Sequence, residues 1–442
     1  MLPSASLPMP SSWRDLLEEL EPVFSRRSTH RLFVLLASGM ILADRSTVVA
    51  MAGAAGMAGR WRRACWFFSG AVWDIDDLGA AVARMVVRYL LSGTDPIVVA
   101  VDGTFFRRWG KSVPEARWAY DGSAQGGKKI AFGNTWVVAA IVVRLPCCPS
   151  PVALPVLFRL WRGKGTASQV DLAAQLLKLL AAEFSGRVIH GVGDAAFHGE
   201  PLIIEGVTWT ARLPANAVLY EAAPPRTGKR GRPRVKGDRL GTCAQIAADA
   251  DWQETTVSAY AKDTATRVAA SGALWHGSFG TASGRLVLAR DPGSKKAYDL
   301  GLFTLDPGAD PTAIIERYSW RWPIEPSSAT GKQVPGVGDA CNRTGPAVER
   351  TVPFGFLIQT LLIVIQTLLI VRYTRHGNAP AGTDRRRQLC PWYRTKTSPA
   401  PADMLATLRQ QFTQVRISAM WPGQNRPDQF GPGTLTCDAT AA

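Results

Sequence analysis

Between residues 97 and 194 the chain spells out three apolar strands, a helix and a fourth strand, and both the first and the last strand deliver an aspartate. Ile97 to Val101 is a run of β-branched and small apolar residues followed by Asp102-Gly103-Thr104, which reads as a buried strand with a carboxylate at its C-terminal end. Trp136 to Val143 and Val156 to Trp161 read as the second and third strands. Gln169 to Phe184 turns to helical period, with Leu172, Leu176, Leu177, Leu179 and Leu180 as its apolar face. Arg187 to Gly193 returns to strand character and ends on Asp194. A sheet presents side chains to a crevice at its carboxyl edge, so two such carboxylates need a reason to be close. A divalent cation is the usual reason, because Mg²⁺ prefers hard oxygen ligands and is held by one or two carboxylates plus substrate phosphates. Taken singly, each aspartate has a plainer reading: Asp102 opens an Asp-Gly turn, and Asp194 caps the following helix.

This element order is that of the ribonuclease H-like fold, an α/β architecture. Residues 11 to 95 read as helical, from Trp13, Leu16, Leu17 and Leu20 at the start and Leu78, Val82, Met85, Val86 and Tyr89 later. Between them Arg60, Arg62 and Arg63 stand beside Trp61 and Trp66, which suits both a small helical bundle and a DNA-binding head. Residues 203 to 300 are rich in Val, Thr, Trp and Gly, with strands expected at Val207 to Leu213, Thr255 to Tyr260 and Arg285 to Ala289. Leu302 to Leu305 reads as a late strand, and Pro311 opens a helical pattern through Tyr318 and Arg321. Phe354 to Val371 carries no charge and repeats IQTLLIV in tandem. Gln359, Thr360, Gln366 and Thr367 form a polar stripe on it, which favours a helix packed in a core over a membrane span. From about Trp421 the chain is Pro/Gly-rich and reads as disordered.

The chain carries 51 Lys+Arg against 35 Asp+Glu, a net charge of +16. That surplus points to a polyanion, nucleic acid first and an anionic membrane surface second. It is concentrated: residues 224–240 and 372–396 each hold seven basic residues against one acidic, twelve of the sixteen net charges. With 46% hydrophobic residues, the chain cannot be a wholly disordered basic protein. Seven scattered cysteines with no C-x-x-C, and five histidines with no H-x-x-x-H, argue against a structural zinc and fit a reducing compartment. The N-terminal stretch lacks the basic start and apolar core of a signal peptide, so a cytoplasmic location is expected.

From residue 318 the chain reads YSWRWPIEPSSATGKQ. Tyr318, Arg321, Glu325 and Lys332 thus stand three, four and seven residues apart, and helical geometry puts Arg321 and Glu325 on one face. Tyr, two residues, Arg, three residues, Glu, six residues, Lys resembles the signature of DDE transposases of the bacterial insertion-sequence type, within the DDE superfamily of endonucleases. Asp102 in VAVDGT resembles that family's first catalytic Asp, Asp194 in GVGDAAF the second, and Glu325 the terminal Glu. The CNRT at 341–344 and the PWYRTK at 391–396 extend the resemblance.

The resemblance implies a ribonuclease H-like catalytic core interrupted by a β-rich insertion, with a helical N-terminal domain. The expected division is 1–95 helical, with a DNA-binding role; 96–202 first part of the core; 203–300 β-rich insertion; 301–376 second part of the core; 377–442 a basic tail. It implies metal-dependent strand cleavage at transposon ends and transfer of the 3′ hydroxyl into target DNA. Asp102, Asp194 and Glu325 would hold two Mg²⁺, with Mn²⁺ as a substitute. Tyr318, Arg321 and Lys332 would face the DNA backbone, as would the RGRP core of an AT-hook formed by Lys229, Arg230, Arg232 and Arg234. The implied partners are transposon terminal repeats, target DNA and a second copy of the chain, with no membrane, in the bacterial cytoplasm at the nucleoid. Two other readings stay open: a catalytically decayed DNA-binding relic, and a non-transposing ribonuclease H-like nuclease. Pro326 is the feature favouring decay, because proline costs about 3 kcal/mol inside a helix. The helix is expected to end near Glu325 or to restart there with Glu325 near its N-cap.

Overall fold

A computed structural model describes residues 7–420 except 111, 123, 125–128, 226–232, 260–261 and 376–397. The N-terminal segment is helical throughout: α1 (Ser11–Glu18), α2 (Arg27–Leu42), α3 (Val48–Ala54), α4 (Trp61–Ser69) and α5 (Ile75–Leu90). Asp74 caps α5 by accepting from the N–H groups of Asp76 and Asp77, satisfying donors that a helix start leaves orphaned. The sheet then begins with β1 (Ile97–Arg107), β2 (Arg117–Tyr120), β3 (Ile130–Val143) and β4 (Val152–Trp161). Next come α6 (Gln169–Glu183), closed at its start by a Ser168/Asp171 capping box, and β5 (Ile189–Gly193). Then follow β6 (Val207–Arg212), β7 (Val218–Tyr220), β8 (Arg239–Thr242), α7 (Cys243–Ala248), β9 (Gln253–Ala259), β10 (Lys262–Ala273), α8 (His276–Phe279), β11 (Gly284–Arg290) and β12 (Leu300–Thr304). The last described elements are α9 (Pro311–Ser319), α10 (Ile324–Gln333), α11 (Gly345–Arg375) and α12 (Pro401–Met420).

The large sheet runs β2-β3-β1-β5-β6-β12-β11-β10-β9, with β4 also on β3. Its nucleus is ribonuclease H-like: β4, β3 and β1 antiparallel, then β5 parallel to β1 and β6 parallel to β5. The β-rich segment after β6 extends the same sheet, because β12 pairs antiparallel with β6 and carries β11, β10 and β9 outward. Two expectations change. β1 does not turn at Asp102-Gly103 but continues to Arg107, because Phe105 and Phe106 keep pairing with Thr135 and Asn134 of β3. The N-terminal helices also share one core with the sheet. Phe354 of α11 meets the rings of Phe33, Phe67 and Phe68 at 5.9, 6.2 and 5.1 Å, and Gly79 of α5 lies against the Val156 carbonyl of β4.

The uncharged segment is a core helix of this fold. It is long and apolar enough to cross a membrane, yet 78% of its most apolar window is buried inside the protein. The first half of its polar stripe has neighbours to bond, with Gln359 Nε2 donating to Ser327 O (3.1 Å) and Thr360 Oγ1 to Pro155 O (2.8 Å), whereas in the second half Gln366 Nε2 is buried without a hydrogen-bond partner among the described residues. The thiols of Cys65, Cys147, Cys148, Cys243 and Cys341 are free. The expectations for the stretch from Trp421, for PWYRTK and for nearly all of the 372–396 patch lie outside the described residues.

Candidate active site

Asp102 and Asp194 are brought side by side by strand register. β1 and β5 run parallel with Val101 opposite Gly193, so the next residue on each strand is an aspartate. β5 stops there and β1 continues, which leaves both carboxylates at the crevice where a sheet of this kind binds ligands. Asp194 Oδ1 accepts the Ala196 N–H at 2.8 Å, and Asp102 Oδ1 accepts the Gly103 N–H at 2.8 Å. Asp102 is pushed up from an ordinary 3.8 to about 6, chiefly by burial, with Asp194 and Glu325 adding like charge; the Gly103 N–H and Arg321 oppose the rise. The effects of Glu325 and Arg321 on Asp102 put both side chains within the field of the aspartate pair.

The segment carrying Glu325 settles the Pro326 question. α9 starts on the Asp310 cap and ends at Ser319; a turn follows, and α10 begins at Ile324 with Glu325 in its first turn. Pro326 is the third helical residue. The ladder starts one residue later, where Ser327 N donates to Pro323 O at 3.1 Å, so the missing proline N–H is one that a helix start never uses. The helix therefore restarts with Glu325 near its N-terminus, where the dipole favours a carboxylate, and it continues through Gly331 and Lys332. Gly331 is needed for closeness: a Cβ there would stand 2.7 Å from the Phe356 ring of α11.

Arg321, in the turn, donates to Glu325 Oε1 at 2.6 Å. Burial works against its charge, but the Glu325 bond and the nearby Tyr318 and Asp102 outweigh it and raise its pKa. The Tyr318 ring packs in the core, 6% exposed, with Val257, Val268, Val287 and Ile315, and Tyr318 lies close enough to Arg321 to act on its charge. Lys332 likewise points inward, donating to Phe105 O of β1 at 2.9 Å with its ammonium 4.7 Å from the Phe106 ring. Burial lowers its pKa, while Asp121 and Asp102 hold it up. Of the AT-hook residues, Lys229, Arg230 and Arg232 lie outside the described residues, and Arg234 pairs with Asp238 at 2.8 Å.

The donor set fits a divalent cation at Asp102 and Asp194: hard oxygens, adjacent, one of them a carboxyl whose buried charge a cation would stabilise. Glu325 is engaged by Arg321, and among the described residues no three His, Cys, Asp or Glu side chains converge closely enough to hold an ion by themselves. Sequence reasoning missed the cleft just beyond this site. It is about 390 Å³ in volume and lined by Arg45, Arg107, Arg108, Trp109, Lys332 and Arg343 among others. The Arg107-Arg108-Trp109 run was the available signal for it.

No curated protein matches the chain. Residues 19–276 match the family described as DDE superfamily endonuclease, a span that includes Asp102 and Asp194 and stops short of Glu325. With more than half its length matched, and with paired aspartates at the carboxyl edge of a ribonuclease H-like sheet, the chain belongs to the DDE superfamily endonucleases, nucleases that act on DNA and use divalent metals.

Proposed function

We propose that the protein is a DNA transposase, which cuts a strand at transposon ends and joins the freed 3′ hydroxyl to target DNA. The observation that carries this reading is the register that sets Asp102 beside Asp194, with Glu325 and Arg321 on α10 and its preceding turn in their field. In the proposed complex Asp102 and Asp194 hold Mg²⁺, or Mn²⁺ in its place, and Glu325 completes the set for a second ion once Arg321 turns to a phosphate. Bound metal would activate the attacking oxygen and stabilise the leaving one. Arg321 suits the phosphate role because its planar fork of donors matches phosphate oxygens. Lys332 acts by fixing the far end of β1 through Phe105 O. Arg60, Arg62 and Arg63 are exposed beside the partly exposed Trp61 and Trp66, and are proposed to contact DNA from the N-cap and first turn of α4, as is the 224–240 linker. Handling two transposon ends together calls for a homodimer.

The expected domain division is kept as a proposal, with 1–95 docked on the catalytic sheet. Pro326 no longer argues for a decayed copy, since α10 runs on past it. The test is incubation of the full chain with oligonucleotide duplexes carrying the element's terminal repeats, a supercoiled target plasmid and Mg²⁺. Joined products with 3′ ends covalently linked to target support transposition. Cleavage without joining leaves the non-transposing nuclease, and no cleavage leaves the relic.

A further inference from the structure

The cleft beyond the aspartates is built on fixed cations. Arg108 is buried, donating to Asn134 Oδ1 (2.9 Å) and Gly338 O (2.7 Å), and Lys332 is tied to Phe105 O. Arg107 is held by Asp121 at 2.7 Å. Arg45 and Arg343 at the rim are exposed and make no ion pair among the described residues. Five cations thus face two lining carboxylates, Asp121 and Asp339. Trp109 stands at the same cleft, 81% exposed. A phosphate alone needs no flat apolar surface, and an apolar ligand needs no arginines; a nucleotide needs both. Single-stranded nucleic acid is held in this way, with basic groups along the backbone and aromatic rings under the bases. A cleft of about 390 Å³ is within the range of small-ligand sites, about 300 to 1,000 Å³, and takes one nucleotide out of the stack rather than a base pair within it.

We propose that this cleft binds one unstacked nucleotide of the DNA strand, its phosphate on Arg45, Arg107 and Arg343 and its base on Trp109. The inference rests on the reading of the protein as a DNA-cutting enzyme and adds where the strand leaves the active site. Arg107 is five residues beyond Asp102 at the end of β1, about 17 Å at strand rise. That is about five nucleotides at about 3.4 Å each, so the unstacked position lies about five nucleotides from the cut.

The test is binding of a fluorescein-labelled dT8 oligonucleotide to the full chain by anisotropy in EDTA, where cutting is off. Trp109→Ala weakens binding about tenfold, in the range of one lost base stack, and Arg343→Ala lowers the slope of log affinity against log salt by about 0.7. Trp118→Ala is the control, since Trp118 is 72% exposed and lies outside the cleft; it leaves binding within twofold. Trp109 is too exposed for its loss to unfold the chain. Unchanged binding by Trp109→Ala, or equal losses from Trp109→Ala and Trp118→Ala, overturns the proposal. Because no cleavage is read, that failure leaves the nuclease reading intact, and a failure of metal-dependent cutting leaves the binding result interpretable.

Discussion

Neutralising Asp102 should stabilise the metal-free protein. Its carboxyl rises from 3.8 to about 6 on folding, so the folded state binds the proton more tightly than the unfolded chain does. The group's contribution to stability is complete below pH 3.8 and is lost as pH rises through about 6. At about 1.36 kcal/mol per pH unit the loss is about 3 kcal/mol at neutral pH. Asp102→Asn removes the charge yet keeps an oxygen to accept the Gly103 N–H. Thermal unfolding in EDTA, followed by circular dichroism, should place the variant about 3 °C above wild type at pH 8, taking about 1 °C per kcal/mol for a chain of 442 residues. Near pH 4 the two curves should nearly coincide. Mg²⁺ or Mn²⁺ at pH 8 should raise the wild-type midpoint and not the variant's. A variant less stable than wild type at pH 8 in EDTA, or a gain that does not shrink toward pH 4, would refute the argument that Asp102 is a buried, like-charged carboxylate.

Lys332→Ala leaves Phe105 O without its donor and should cost about 1 to 3 kcal/mol in urea unfolding; a neutral result would mean α10 is not tied to β1. Phe354→Ala empties the space shared by the rings of Phe33, Phe67 and Phe68, with an expected loss of about 3 to 5 kcal/mol. Gly79→Val drives a side chain into the Val156 carbonyl and should cost about 1 to 3 kcal/mol. If the catalytic sheet keeps its unfolding midpoint in both of these variants, the N-terminal helices do not share its core.

The nucleus of the fold was legible because its strands are nearly pure apolar runs: 97–101, 136–143 and 156–161 each fall inside an observed strand. β10 was missed because Lys262 to Ala265 are exposed and three of these four are polar or charged, so no apolar pattern marks its first third. The two aspartates could be found at strand ends, but their adjacency is a matter of register, which only the Val101–Gly193 pairing fixes. Pro326 left open whether the helix ends at Glu325 or restarts there, and only the turn between α9 and α10 decides for the restart. The Arg107-Arg108-Trp109 run marked one wall of the basic cleft, but the cleft itself was not legible because Arg45, Arg107 and the 332–343 segment meet from three distant parts of the chain.

The central claim is that Asp102 and Asp194 form a metal-dependent site that cuts DNA. Nicking of a supercoiled plasmid by the full chain, by Asp102→Asn and by Asp194→Asn, each with Mg²⁺, with Mn²⁺ and with EDTA, tests it most directly. The account predicts nicking by wild type with either metal, none in EDTA, and a loss of at least a hundredfold in both variants. Equal nicking by wild type and the two variants would contradict it.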